Sequence, residues 1–233
     1  RQSLMSDTLS HVSLSGVAFG LFLGFSPTIS TVIVVIIAAV FLEYLRTVYK
    51  DFMEIGTAIL MSTGLALALV IMKGGGKSSM SLDQYLFGST LTITDEQVLA
   101  LFVIAAIVLC LTVLFIRPMY ILTFDEDTAY VDGLPVRLMS ILFNIVTGVA
   151  IALMIPAAGS LLVSTIMVLP ASIALKLGKT FRSVMLLAVV IGFVGMVSGL
   201  ILSYYPDTPV SATITLLFVF FFLLSNLFVK FRK

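Results

Sequence analysis

The chain has 233 residues, of which 60% are hydrophobic and 11% are charged, and its formal net charge is +1. A soluble domain carries about a quarter charged residues, so this composition excludes a soluble globular protein and indicates a polytopic membrane protein. The near-neutral charge and the lack of a basic motif give no reason to expect a nucleic-acid partner. The single cysteine, Cys110, lies in an apolar run, which excludes a disulfide or a cysteine metal cluster within one copy.

Hydrophobic runs separated by charges, glycine and proline predict an all-α bundle of eight membrane segments, each about as long as a bilayer requires. They form one transmembrane domain over residues 1–233. The fifth and sixth segments are separated only by the four residues 156–159. The predicted segments are 3–24, 28–45, 56–72, 98–116, 138–154, 159–175, 184–203 and 211–229.

The distribution of lysine and arginine predicts the orientation of these segments. If Arg1 is cytoplasmic and the segments alternate, 11 of the 13 basic residues lie inside, and only Lys73 and Lys77 lie outside, as the positive-inside rule requires. This places 73–97 in an extracellular loop, and 117–137 and 171–182 in cytoplasmic loops. It also predicts a further helix before Arg1, so that the sequence is N-terminally truncated.

The first segment carries the only histidine, His11, four residues after Asp7. Residues i and i+4 of a helix share one face, about 6 Å apart. An ionisable pair at membrane depth is by default a functional site, and a carboxylate and an imidazole are suitable ligands for a divalent transition metal. The alternative is a hydrogen bond between the two side chains that only joins helices.

The neighbours of this pair predict how the first helix is oriented. Its serines are expected on the same half of the helix as the pair, facing a cavity or a partner, whereas the apolar side chains are expected to pack. The serines are Ser3, Ser6, Ser10 and Ser13, and the packing residues are Leu4, Leu9, Val12 and Phe19.

One copy supplies two of the four ligands that zinc usually takes. Waters, other carboxylates or a second copy must supply the rest. A two-fold dimer with both first helices on its axis would bring together two Asp7 and two His11 side chains, a set that suits zinc and is tolerated by manganese.

Several motifs, taken together, carry a resemblance that covers essentially the whole chain. They are 6–11 (SDTLSH) followed by Gly16, 54–56 (EIG), 85–89 (YLFGS), 124–129 (FDEDTA) with Gly133 and Pro135, and 169–171 (LPA). The chain resembles the permeases of the zinc and manganese ATP-binding-cassette (ABC) importers, and its details are most similar to the streptococcal-type zinc permeases. It departs from the family pattern at Ser6, where glycine is frequent, and at Ser15, where proline is frequent.

This resemblance implies a fold like that of the vitamin B12 importer permeases, in a bacterial plasma membrane. It implies that Asp7 and His11 bind the ion in the translocation path of a homodimer. The implied partners are two cytoplasmic ATPase subunits and an extracellular metal-binding protein. The permease would not be an enzyme; it would hold no permanent cofactor and would bind the transported Zn²⁺ or Mn²⁺ only transiently.

The resemblance also suggests which loops meet these partners. The segment 171–179 reads as a short helix with a glycine cap, and related importers use the corresponding loop for ATPase docking; the residues are Pro170, Ala171, Ser172, Leu175, Lys176, Gly178 and Lys179. A second candidate for the ATPase interface comprises Asp125, Glu126, Ala129 and Gly133. The expected contact with the metal-binding protein comprises Tyr85, Leu86, Phe87 and Gly88.

Two other classes of protein are possible. A gradient-driven metal transporter would show an internal repeat with broken helices, but no second Asp-His pair is present. An intramembrane metalloenzyme would need about three protein ligands and a general base in one copy.

Asp and His serve zinc and manganese alike, so only the resemblance favours zinc. Of two roles open to Asn144 in the fifth segment, lining the path or hydrogen-bonding a neighbour, we expect the second.

Overall fold

The computed structural model is helical throughout the part of the chain that it describes, residues 3–48, 53–74, 82–88, 93–124, 126–204 and 208–232. Eight long helices and three short ones follow one another in the sequence. Their bounds are α1 Ser3–Leu23, α2 Pro27–Val48, α3 Met53–Gly74, α4 Leu82–Phe87, α5 Asp95–Leu114, α6 Ile116–Phe124, α7 Glu126–Val131, α8 Val136–Ala158, α9 Ser160–Leu177, α10 Phe181–Tyr204 and α11 Val210–Arg232.

The all-α fold is confirmed, and the eight long helices coincide with the eight predicted segments. Seven of them, α2, α3, α5, α8, α9, α10 and α11, are long and apolar enough to cross a membrane. Helix α1 has 21 residues, enough to span a bilayer core of about 30 Å, but it carries the polar residues that lower its hydropathy. The predicted break after the fifth segment is narrower than expected, because α8 continues through Pro156 to Ala158.

One prediction about the helices is wrong. Residues 171–179 do not form a separate short helix, because α9 continues without interruption through Pro170 to Leu177 and ends at a cap on Gly178. Only residues 178–180 link α9 to α10. This link needs glycine for space rather than for a left-handed backbone, since a Cβ on Gly178 would lie 2.6 Å from Val184 Cγ2.

The chain divides into two compact units, residues 1–79 with 92–154, and residues 80–91 with 155–233. In the first unit α1 packs against both α2 and α3. Glycines allow this close approach: a Cβ on Gly16 would lie 2.5 Å from Thr31 Cα of α2, and one on Gly64 of α3 would lie 2.9 Å from Val12 Cα. Close backbone contact at small residues is how helices associate where lipid removes the hydrophobic drive.

A buried polar cluster joins α2 to α8 in the first unit. The Glu43 side chain is only 5% exposed, and its Oε2 accepts hydrogen bonds from Ser140 Oγ at 2.8 Å and Asn144 Nδ2 at 3.0 Å. Arg46 Nη1 lies 3.5 Å from Glu43 Oε1 and donates to Ser140 Oγ at 2.6 Å. The prediction that Asn144 bonds a neighbouring helix is confirmed. A buried carboxylate is costly unless it is paired in this way.

In the second unit α9, α10 and α11 pack against one another, and α4 lies against α9 and α11. Phe218 and Ile214 of α11 fill the space left by glycines of α10, since a Cβ on Gly199 would lie 2.6 Å from Ile214 Cγ1. Helix α4 ends at Phe87, and the backbone of the next residue, Gly88, touches that of Gly159 at the break between α8 and α9. Both glycines have positive φ angles, 69° and 79°.

We expect Glu43→Ala to destabilise the first unit, because it leaves Arg46 and Asn144 without their shared acceptor. Removing one partner of a buried pair costs about 3 kcal/mol or more. Thermal unfolding of the purified protein in detergent measures the effect. The matched control is Glu54→Ala on α3, which removes an exposed carboxylate. Equal melting temperatures for the two variants would contradict a stabilising role for the cluster.

Candidate ion-binding site

Over residues 4–18 only a narrow stripe of α1 is accessible. Between Leu4 and Ala18 the accessible residues are Leu4, Asp7 and His11, and all others are buried. The spacing of three and four residues places these side chains on one face. Packing against α2 and α3 covers the other residues of this stretch. The accessible stripe of α1 therefore presents both ionisable side chains away from the interior of its own unit.

The serines of α1 do not share this stripe, contrary to the sequence prediction. Ser6, Ser10 and Ser13 are buried, and the side chain of Ser3 is outside the described part of the structure. Ser10 Oγ donates to the Ser6 carbonyl at 3.0 Å, and Ser13 Oγ donates to the Ser10 carbonyl at 2.5 Å. Serine in a helix can bond the carbonyl three or four residues earlier, so these hydroxyls pack inside the bundle instead of facing a cavity.

The packing face of α1 is also displaced from its predicted position. Leu9 and Val12 are buried as expected, but Leu4 is 48% exposed, and Phe19 is only partly buried. The accessible half of α1 that the helical period predicted was too wide. A serine hydroxyl that donates to a carbonyl of its own helix can be buried like an apolar group. The accessible face is narrower and consists of Leu4 with the ionisable pair.

The geometry of Asp7 and His11 suits a shared ligand. His11 Nε2 lies 3.8 Å from Asp7 Oδ1, with the two side chains 29% and 36% exposed. This distance exceeds that of a hydrogen bond, and neither side chain has a hydrogen bond to any other residue within the described ranges. Two ligand atoms on one tetrahedral zinc ion lie about 3.3 Å apart, so a small side-chain adjustment allows both to bind one ion.

The described part of one copy does not complete a metal site. Within the part of the chain that the structure describes, no group of three or more His, Cys, Asp or Glu side chains could hold a metal ion. The pair offers one nitrogen and one or two oxygens, fewer ligands than the four that zinc usually takes. This open arrangement permits ligand exchange, as an ion in transit requires.

The residues predicted to meet an extracellular protein lie on and just after α4. Tyr85 is buried at 2% exposure, whereas Leu86 and Phe87 are each 37% exposed. Gly88 packs against Gly159. Of the α4 side chains whose exposure the structure describes, Leu86 and Phe87 are exposed and Tyr85 is buried.

The first predicted cytoplasmic candidate for ATPase docking is the end of α9. Pro170 is buried and Ala171 and Ser172 are partly buried, while the last turn exposes Leu175, Lys176 and Lys179 around Gly178. Lys176 Nζ donates to Asn226 Oδ1 of α11 at 2.5 Å and lies 3.6 Å from the centre of the Phe222 ring. The side chain of Lys176 thus joins this end of α9 to α11. The same end is continuous with a membrane segment.

The second cytoplasmic candidate is α7. Asp125 lies outside the described residues, and the side chain of Glu126 is likewise not described. Ala129 is fully buried, whereas Tyr130 and Val131 are 77% and 84% exposed. Gly133 then turns the chain towards α8 with a φ of 76°. Helix α7 is therefore a separate short helix with two exposed apolar side chains outside the membrane segments.

Sequence reasoning did not single out two polar contacts, those of Glu43 and of Lys176. Both join residues far apart in the sequence: Glu43 bonds partners 97 and 101 positions away, and Lys176 bonds one 50 positions away. The available signal was a carboxylate inside the predicted second segment, which a membrane segment tolerates only with a partner.

Seven apolar helices, an eighth that carries an accessible carboxylate and imidazole, and exposed short helices beyond the membrane segments define a multi-pass membrane protein with a candidate ion site. The family model described as "ABC 3 transport family" matches residues 1–229, and the chain belongs to this family. It is the permease subunit of a metal-ion ABC importer, and such a subunit is not itself catalytic. This identification decides against the gradient-driven transporter and the intramembrane metalloenzyme.

Individual relatives support the same class. The chain is 28% identical to the high-affinity zinc uptake system membrane protein ZnuB of Haemophilus influenzae, covering 97% of this chain and 86% of that protein. It is 29% identical to the manganese import system permease ScaB of Streptococcus parasanguinis, covering 96% and 79%. The solved structure of PsaBC from Streptococcus pneumoniae in complex with Fab matches with a TM-score of 0.84 and 26% identity over 99% of this chain and 85% of that chain.

Proposed function

We propose that this permease imports zinc across a bacterial plasma membrane, and that Asp7 and His11 bind the ion on its path. The observation that carries this proposal is the accessible stripe of α1, which presents both side chains 3.8 Å apart. Deprotonated carboxylate and imidazole are zinc ligands. Manganese is the alternative substrate, since relatives are named for each metal.

We propose a homodimer in which the two α1 stripes face each other. Two copies would supply two carboxylates and two imidazoles, which complete the four positions that zinc takes. Leu4 lies one turn from Asp7 on the same stripe and is exposed, so it provides apolar contact beside the ion. A site shared between copies would open and close with their relative movement, which suits alternating access.

We propose that two ATPase subunits supply the energy and that α7 is their main docking element. Tyr130 and Val131 are apolar, highly exposed and outside the membrane segments, the combination expected at an interface with a soluble partner. The end of α9, which the sequence favoured, also exposes two apolar side chains, but to a smaller extent, with Leu175 at 67% and Leu177 at 36%. On the opposite side, Leu86 and Phe87 of α4 are proposed to meet an extracellular metal-binding protein.

We expect His11→Ala and Asp7→Asn each to reduce zinc uptake at least tenfold, because each removes a ligand from the path, and even the loss of a group that only orients a metal ligand costs about 10-fold or more. Uptake is measured in cells lacking their own importer, with zinc and manganese offered separately and permease abundance checked by immunoblot. Ser10→Ala is the control, since it removes a buried hydroxyl of the same helix. Unchanged uptake of both metals at normal abundance would exclude the pair from the path. A loss confined to manganese uptake would instead overturn zinc as the substrate.

We expect Leu4→Cys, made in a Cys110→Ser background, to form a disulfide between two copies when membranes are oxidised. Facing α1 stripes would bring the two thiols close to the two-fold axis, and a disulfide forms when the Cα atoms approach within about 7 Å. Non-reducing gel electrophoresis detects the dimer. Val189→Cys in α10, also highly exposed, is the control for random collision. Equal dimer yields for the two variants would contradict the α1 interface.

We expect Tyr130→Arg to abolish co-purification of the ATPase subunits, because it places a charge in an apolar contact. Pull-down from membranes that contain the whole importer measures this. The matched control is Tyr204→Arg, a substitution of an equally exposed tyrosine at the end of α10 predicted to be extracellular. Normal co-purification with Tyr130→Arg, together with loss after substitution of Leu175, would move the docking site to the end of α9.

A further inference from the structure

Charge in the second unit is strongly one-sided. Its two acidic residues, Asp83 and Asp207, lie in segments predicted to be extracellular. Its basic residues all lie at the opposite, predicted cytoplasmic end; they are Lys176, Lys179, Arg182, Lys230, Arg232 and Lys233. The inner loop 117–137 of the first unit mixes both signs, since it holds Asp125, Glu126, Asp127 and Asp132 beside Arg117 and Arg137. The second unit therefore presents a purely basic end to the inner membrane surface.

An apolar groove leads from this basic end into the membrane-spanning part of the unit. It has a volume of about 320 Å³ and walls from three helices, including Ile173 and Leu177 of α9, Ile191 of α10, and Phe221, Leu224 and Phe228 of α11. The one polar wall residue, Ser225, satisfies its hydroxyl by donating to the Phe222 carbonyl at 2.7 Å. The groove thus offers no polar contact of its own to a ligand.

The depth of the groove corresponds to one leaflet. Along α11 it begins at Phe228, two residues before Lys230, and reaches Phe221. At about 1.5 Å per residue, Phe221 lies about 14 Å from Lys230, and half of the hydrocarbon core is about 15 Å. A water-soluble partner would not enter at this depth, whereas an acyl chain would.

One basic side chain at this end of the unit has a defined position, although it is not a wall residue of the groove. The ammonium of Lys176, in the last turn of α9, donates to Asn226 and lies over the ring of Phe222, so it is held against α11, one of the three helices that form the groove. An ammonium has three donors, so this arrangement positions the charge and leaves donor capacity for a phosphate oxygen. Lys179, Arg182 and Lys230 are exposed nearby in the sequence of the same three helices.

We propose that the second unit binds an anionic phospholipid of the inner leaflet, with an acyl chain in the groove and its phosphate headgroup among the basic residues that end α9, begin α10 and end α11. Basic pockets between membrane helices on the cytoplasmic side recognise anionic headgroups. The ligand class is set by the juxtaposition of an apolar, leaflet-deep groove with a basic rim that has no acidic residue of its unit at the same end. This site is separate from Asp7 and His11 and does not depend on the metal transported.

The absence of tryptophan from the sequence permits a direct test. Leu224→Trp places the one tryptophan of residues 1–233 in the groove, at a position already 46% exposed. The full-length variant is reconstituted in phosphatidylcholine vesicles that contain a minor fraction of either dibrominated phosphatidylglycerol or dibrominated phosphatidylcholine, both of which quench tryptophan on contact. Leu186→Trp of α10 is the matched control, since it is exposed in the same half of the membrane but does not line the groove.

We expect the brominated phosphatidylglycerol to quench the fluorescence of the Leu224→Trp variant at several-fold lower mole fraction than the brominated phosphatidylcholine. The two lipids should quench the Leu186→Trp variant equally. Adding Lys176→Gln to Leu224→Trp should raise the half-quenching fraction of phosphatidylglycerol about fivefold, the factor that one basic residue contributes at an anionic surface. Lys73→Gln, at the predicted outer end of α3, should not change it.

Equal quenching of the Leu224→Trp variant by the two lipids would overturn the proposal and leave the basic end to a protein partner. Selectivity that survives Lys176→Gln, Lys179→Gln and Arg182→Gln together would overturn it as well, since the headgroup would then be held elsewhere. If Leu224→Trp does not elute as a single folded species, Phe228→Trp carries the fluorophore at a neighbouring wall position, and the same two outcomes decide.

Discussion

The constraint on which this structure depends is that a bilayer core offers no water to a polar group. Helix α1 deals with this constraint differently for its hydroxyl groups and for its ionisable side chains. Its hydroxyls donate to carbonyls of the same helix, as Ser10 does to Ser6 and Ser15 to Val12, so they can be buried against α2 and α3. Asp7 and His11 cannot be satisfied in that way, and the packing leaves them accessible. The candidate ion site is thus what remains polar after the helix has satisfied its own hydroxyls.

Where a charge is buried, the fold supplies partners from another helix. Glu43 receives Ser140 and Asn144 from α8 and is balanced by Arg46 on its own helix. A network in which each member is satisfied both fixes two helices relative to each other and avoids the cost of an isolated charge. Asp7 and His11 lack such partners within the described part of one copy, and this difference is what separates a structural charge from a proposed transport ligand.

The sequence predicted the number, order and approximate bounds of the long helices, because apolar length is nearly sufficient to define a membrane segment. It also predicted the ionisable pair, since an i, i+4 spacing is independent of tertiary structure. It failed for the serines of α1, because a periodic polar pattern does not distinguish a hydroxyl bonded to its own helix from one that faces a cavity. The prediction of a separate short helix over 171–179 was wrong, because α9 passes through Pro170 without a break and ends at Leu177. Partners such as those of Glu43 depend on how helices pack, and no local pattern contains that information.

The contact between Gly88 and Gly159 has a consequence for how this region can evolve. Both residues have positive φ angles, which disfavour any side chain, and their backbones touch so closely that a Cβ on either would overlap the other. Removing the overlap at one position does not make the other tolerant of a side chain, because each glycine is restricted both by its own φ angle and by the neighbouring backbone. Neither a single substitution nor a pair of substitutions at these two positions can replace glycine without backbone strain or atomic overlap. Divergence in the outer loop should therefore proceed by changes in length or composition on either side of an unchanging junction.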